Sequence, residues 1–184
     1  FCMSDSFDTR VIIGCSDQSL REFDLRYYSQ PVETKLECLL SHQLRCVERL
    51  PNDSGYAVGC IEGRVAVHFN SEDSKPFAFK CHRQSNLIYP VNVCRICPIT
   101  GVLVTGGGDG DVNVWDIRAR KKILQLASYS TSISSLAFSP SGQKLAIAAS
   151  YTFEQGEIDH CPDSVILCTI DPNSLRPESH QSVT

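Results

Sequence analysis

The sequence predicts an all-β fold of four consecutive sheet units, and three observations carry that prediction. A fixed spacing recurs: seven residues separate Leu50 from Ala57, Ile96 from Leu103 and Phe138 from Leu145, with a turn at each pair ("PNDSGY", "CPITGV", "SPSGQK"). Each turn leads into an apolar strand ("YAVGC", "VLVTG", "LAIAA"), a second turn and an alternating strand ("RVAVHF", "VNVWD", "SVILCT"). Alternation at every second residue marks a strand with one face in a core. The period is the third observation: 46 residues from Leu50 to Ile96 and 42 from Ile96 to Phe138. Four-stranded units repeating at about 40 to 45 residues, one of them carrying Trp-Asp, read as blades of a β-propeller.

The elements follow in chain order. A degenerate first copy runs through "RVIIGC", a turn at Asp17-Gln18, and "SLREFD". Outer strands fall at "KLECLL", "FAFKCH" and "KKILQLA". The slot of Trp115 is taken by Phe23, His68 and Cys168 in the other copies. The units are therefore about 1–40, 41–83, 84–128 and 129–175, followed by a tail at 176–184. Such sheets bury both faces only by stacking on neighbours. A closed propeller usually has more blades, and the chain opens on Phe1, so the expectation is an incomplete propeller from the C-terminal part of a longer protein. In the last unit "SYTFEQGEIDHCPDS" (150–164) replaces a short turn. It carries Glu154, Glu157, Asp159 and Asp163 with no basic residue, and reads as a solvated loop.

The stretch "TGGGDGDVNVWDIR" (105–118) invites three chemistries. A phosphate loop fails, because no Gly-Lys-Ser/Thr follows Gly110. A dinucleotide fingerprint fails at Asp111, where the third glycine belongs. A calcium loop begins well with Asp109, Asp111 and Asn113. It fails at Val114, where glycine is needed, and at Arg120, where a glutamate should close the site. What survives is a hairpin turn at Asp109-Gly110, with Trp115 packed between blades and Asp109 bonded within the turn. Both are expected to be structural.

Composition narrows the classes. The hydrophobic fraction is 42% and the formal charge −4, which suits a folded core and argues against a general nucleic-acid binder. No apolar run reaches the roughly 20 residues of a membrane helix. The ten cysteines are scattered through strands and read as small apolar fillers of an intracellular protein. Cys81, His82, Cys94 and Cys97 suggest half a zinc site. However, an offset of three along a strand sends Cys94 and Cys97 to opposite faces, so no metal is expected. No serine elbow or paired-carboxylate motif accompanies the five histidines, and no enzyme, catalytic residue or cofactor is expected.

Longer strings carry a resemblance. "GCIEGRVAVHF" (59–69), "FAFKCHR" (77–83), "IYPVN" (88–92), "GGGDGDVNVWD" and "SISSLAFSPSGQKLAIAASYTFEQGE" resemble the Bub-three family, the WD-repeat protein of the mitotic spindle checkpoint. "SHQLRCV" and "AVHF" lean toward its relative, the WD-repeat mRNA-export factor of the Rae/Gle type. The resemblance implies a seven-bladed, non-enzymatic adaptor of the nucleus and kinetochore, found also in the cytoplasm. Its implied partners are GLEBS peptides of Bub-type kinases and their pseudokinase relatives, and phosphorylated Met-Glu-Leu-Thr repeats of a kinetochore scaffold, with no membrane or direct nucleic-acid partner. The alternative is an export factor holding a nucleoporin GLEBS peptide. Arg64 matches the position that pairs with acids of the GLEBS peptide, and Arg83 an arginine that contacts the phosphothreonine. A guanidinium suits both, because its planar fork matches a carboxylate or phosphate at two points. Lys80 and His82 are expected to support them as a local basic patch. A lysine that some members carry in the turn after the Tyr-Pro-Val-Asn strand has no counterpart in Pro98-Ile99-Thr100-Gly101.

Overall fold

The computed structural model describes residues 2–5, 9–27, 29, 33–36, 38–71, 74–171 and 173–175. The expected tail at 176–184 lies outside them. Sheet 1 contains β1 (Cys2–Asp5), β2 (Arg10–Gly14), β3 (Leu20–Asp24) and β4 (Glu33–Leu36). Sheet 2 contains β5 (Leu44–Arg49), β6 (Gly55–Cys60), β7 (Arg64–Phe69) and β8 (Phe77–Lys80). A small hairpin of β9 (Arg83–Gln84) and β10 (Leu87–Ile88) precedes sheet 3, which contains β11 (Val91–Ile96), β12 (Leu103–Gly107), β13 (Asp111–Asp116) and β14 (Lys121–Ser128). Sheet 4 contains β15 (Ile133–Phe138), β16 (Lys144–Ala149) and β17 (Ser164–Thr169). Helix among the described residues is limited to 3-10 turns at Leu25–Tyr27 and Pro51–Asp53.

Every sheet is an antiparallel meander in chain order, the arrangement of propeller blades. One apolar cluster fills each gap between neighbours. Ile12 and Leu20 meet Val47 and Val58 between sheets 1 and 2. Val65 and Val67 meet Val91 and Leu103 between sheets 2 and 3, and Val112 and Val114 meet Ile133 and Leu136 between sheets 3 and 4. The first strand of each of sheets 2 to 4 is bulged at one site, between Leu44 and Cys46, Val91 and Val93, and Ile133 and Ser135. A bulge re-aims one side chain out of the pleat. Here the re-aimed residues are Arg45, Asn92 and Ser134, one from each repeat.

Three expectations are corrected. Ile96 does pair with Leu103 and Phe138 with Leu145. In sheet 2, however, the matching pair is Arg49 with Tyr56, one residue before Leu50 and Ala57. Arg49 occupies an apolar slot because Glu22 and Asp53 both hold its buried guanidinium, so a charge stands where the pattern asks for a hydrophobe. The first outer strand is Glu33–Leu36 rather than "KLECLL". The β9–β10 hairpin is an addition to the blade pattern. Sheet 4 has three strands rather than four among the described residues.

Candidate functional site

In a meander the connections alternate between two ends of the sheets. The β6–β7 and β12–β13 turns, the 150–163 loop and the crossings between sheets (81–90 and 129–132) therefore share one end. The turns at 50–54, 97–102, 117–120 and 139–143 share the other. Arg64 opens β7 and Lys80 closes β8, so both stand at the first end, directly opposite each other. Arg83 follows three residues later and lies at the same end.

The electrostatics of this corner are unusual for a fold. Like charges set opposite each other in a sheet are destabilising, yet Arg64 faces Lys80. Arg83 binds the backbone carbonyl of Glu62 through Nε (3.1 Å) and Nη2 (2.8 Å). The carboxylate of Glu62 turns away to His42, at 3.0 Å. The Nε of Arg64 is buried without a hydrogen-bond partner, and none of the three cations has a carboxylate partner among the described residues. Lys80 is exposed, and Arg64 and Arg83 are half-buried. The result is three cations at one corner with no carboxylate paired to them among the described residues.

His82 does not join them. Its side chain is completely buried, so the expectation of a supporting basic surface residue is overturned. Nδ1 of His82 lies 2.8 Å from Asp109 Oδ1, and Nε2 lies 2.8 Å from Thr105 Oγ1. Trp115 Nε1 donates to the same Thr105 hydroxyl at 3.0 Å. A neutral imidazole satisfies the chain completely: indole N–H to hydroxyl, hydroxyl to Nε2, and Nδ1–H to carboxylate. The set ties β12, β13 and the 81–90 crossing together. It has the composition of a hydroxyl–histidine–carboxylate triad, but Thr105 is fully buried and its oxygen is engaged by Trp115, so it presents no nucleophile to solvent. The glycine run serves this packing. A Cβ on Gly107 would stand 2.3 Å from His82 Nδ1.

Asp109 also accepts from the Asp111 amide within its turn, and Trp115 packs on Phe79 of sheet 2 at 4.8 Å between ring centroids. Asp116, beside Trp115, accepts from the amides of Arg118 and Ala119, and Asp24 does the same for Arg26. The Phe-Asp and Trp-Asp dipeptides thus share a turn-closing carboxylate. The Arg26 guanidinium beside Asp24 holds its carboxyl well below the usual range.

The residues weighed for metals are otherwise engaged. Asp111 accepts from Gln125 at 2.9 Å, and Asp109 is committed to His82. Cys94 and Cys97 fall in different core clusters, on opposite sides of sheet 3. A hydrogen bond with Cys46, then burial, pushes the Cys94 thiol up, and burial pushes up that of Cys81, away from the thiolate a metal needs. The turn Pro98-Ile99-Thr100-Gly101 is at the opposite end from Arg83, so its lack of a cation has no bearing on a site there.

Sequence reasoning passed over Arg45 and Asn92. Arg45 donates to Asn92 Oδ1 (2.8 Å), and Asn92 donates to the carbonyl of Ile133 (3.1 Å), which links the bulges of successive sheets. The expectation of a wholly solvated loop is corrected at Glu154, which accepts from Ser132 and Thr152 and faces Arg45 at 4.0 Å. Its carboxylate points at neither Arg64 nor Arg83. The signal available was the repeat itself: Arg45, Asn92 and Ser134 hold equivalent positions.

The comparisons with known proteins agree with this architecture. Residues 75–116 match the family model described as WD domain, G-beta repeat. The chain is 41% identical to Mitotic checkpoint protein BUB3.1 of Arabidopsis thaliana, covering 92% of this chain and 52% of that protein. It is 36% identical to Protein RAE1 of Arabidopsis thaliana, covering 83% of this chain and 44% of that protein. A chain in the crystal structure of a mitotic checkpoint complex superposes with a TM-score of 0.66, over 83% of this chain and 45% of that one. At 19% identity it shows the shared fold. The chain spans about half the length of the curated relatives it matches. In its repeats, its turn-closing acids and its sequence, the chain is similar to the Bub3 WD-repeat proteins of the mitotic checkpoint, and after them to RAE1.

Proposed function

We propose that this chain is part of a non-enzymatic adaptor of the mitotic spindle checkpoint, acting in the nucleus and at kinetochores. It holds acidic peptides on the end of the blades that carries Arg64 and Arg83. The partners are GLEBS peptides of Bub-type kinases, engaged at Arg64, and phosphorylated Met-Glu-Leu-Thr segments, engaged at Arg83. The observation that carries the reading is the corner itself: Arg64 set opposite Lys80, with Arg83 beside them and, among the described residues, no internal carboxylate for any of the three. A fold gains nothing from such an arrangement, whereas a ligand that brings carboxylates or a phosphate relieves it. Lys80 is the supporting cation, and the buried His82 has no part in binding.

Titration of peptides against the full-length protein by fluorescence anisotropy tests this. Arg83→Ala is expected to weaken a phosphorylated Met-Glu-Leu-Thr peptide by about 1.5–3 kcal/mol, as for a hydrogen bond to a charged group, and barely alter the unphosphorylated form. Arg64→Glu is expected to weaken a Bub-kinase GLEBS peptide more than Arg64→Ala does. Preference for a nucleoporin GLEBS peptide would move the assignment to the export-factor branch, to which RAE1 belongs. Unchanged binding of every peptide in both arginine variants would remove the reading.

A further inference from the structure

The same end of the molecule has a second, oppositely charged feature. Between the β9–β10 hairpin and the 150–163 loop lies a cleft of about 520 Å³. Its walls include Leu87, Ile88, Tyr89, Tyr151, Glu154 and Asp159, and no lysine or arginine lines it. Leu87 and Ile88 are 60% and 52% exposed along its rim. Tyr151 is at the centre of an aromatic group, 5.6 Å from Phe153 and 5.2 Å from His160 between ring centroids. Glu154 is anchored by Ser132 and Thr152, whereas the exposed Asp159 makes no hydrogen bond or ion pair among the described residues.

Aromatic faces beside a free carboxylate attract a cation on an apolar stem. A carboxylate or phosphate entering the cleft would meet Asp159 and be repelled. We propose that this cleft receives a lysine or arginine side chain of the bound peptide. This end of the molecule would then read a charge order, with an acidic segment at Arg64 of sheet 2 and Arg83 of the β9–β10 hairpin, and a basic residue at Tyr151 and Asp159 of the 150–163 loop. This rests on the peptide-binding function proposed above and adds the direction in which the peptide lies. Opposite potentials at the two places also reject a peptide laid in reverse, because each of its charges would face its like.

A charge swap tests it. Each lysine and arginine of a Bub-kinase GLEBS peptide is changed singly to glutamate, and binding is measured to the full-length protein and to its Asp159→Lys variant. Asp159 is an exposed loop residue, so the variant leaves the blades intact. One peptide substitution is expected to weaken binding to the unaltered protein by about fivefold, the scale of an exposed ion pair with an aromatic neighbour. The same substitution is expected to regain affinity on Asp159→Lys. If the peptide binds and is weakened by Arg64→Glu but no substitution couples to Asp159→Lys, the charge order is wrong and the acidic-peptide function stands. If the GLEBS peptide does not bind at all, both fall. Coupling that appears instead between two copies of the protein, seen as self-association lost in Asp159→Lys, would also overturn the proposal, because the occupant would be a second copy.

Discussion

Thr105 serves two partners with a single hydroxyl, accepting from Trp115 and meeting His82. Replacing it with valine keeps the shape but leaves a buried imidazole nitrogen and a buried indole N–H unpaired. The expected cost is about 2 kcal/mol, in the range for a stranded buried polar group. Trp115→Ala is expected to cost roughly 3–5 kcal/mol, because it also empties the volume between Phe79 and Thr105. Urea unfolding of the full-length variants measures both. A Thr105→Val midpoint equal to that of the unaltered protein would show that the network adds nothing to stability. Neither change touches the cation corner, so peptide affinity per folded molecule should persist.

At the scale of the element, the turns differ in what they tolerate. Gly101 and Gly110 both have positive φ, +70° and +80°. A Cβ on Gly101 meets open space, whereas one on Gly110 would lie 2.2 Å from the carbonyl oxygen of Tyr129. Gly101→Ala is therefore expected to cost about 1 kcal/mol of left-handed strain. Gly110→Ala is expected to cost about 3 kcal/mol, since the 129–132 crossing must also move. Thermal or urea unfolding orders the two, and equal losses would mean that the crossing yields freely. The strands themselves show why a pattern slips by one. Arg49 fills an apolar position through its ion pairs with Glu22 and Asp53, which come from another sheet and another turn. Hydropathy along the chain carries no trace of those partners.

For the whole molecule, equivalent positions tell which faces are covered. Val65 and Val67 in sheet 2 and Val112 and Val114 in sheet 3 are fully buried by the next sheet. Their counterparts in sheet 4 are Val165 and Leu167, which are 77% and 64% exposed. Bare apolar strands of this kind invite association. Val165→Lys with Leu167→Lys is expected to keep the isolated 184-residue chain monomeric at concentrations where the unaltered chain self-associates. Sedimentation velocity on the two would check it, and identical profiles would show that this face does not drive association.

Two features could be read from the sequence alone: the number of sheet units and the place of Trp115 at a blade interface. Both depend on period and on turn residues, which are properties of neighbours along the chain. The resemblance added Arg64 and Arg83. Tertiary structure decided what lies far apart in sequence. It took His82 from the surface into a bond with Asp109, 27 residues on, and it put the Pro98–Gly101 turn at the opposite end of the sheet from Arg83. It turned Glu154 toward Arg45 and left Asp159 beside Tyr151 with no partner among the described residues. The physical reason is the same in each case. Whether a polar side chain is a packed member of the core or an open charge depends on partners supplied by other blades, and only stacking the blades determines who those partners are.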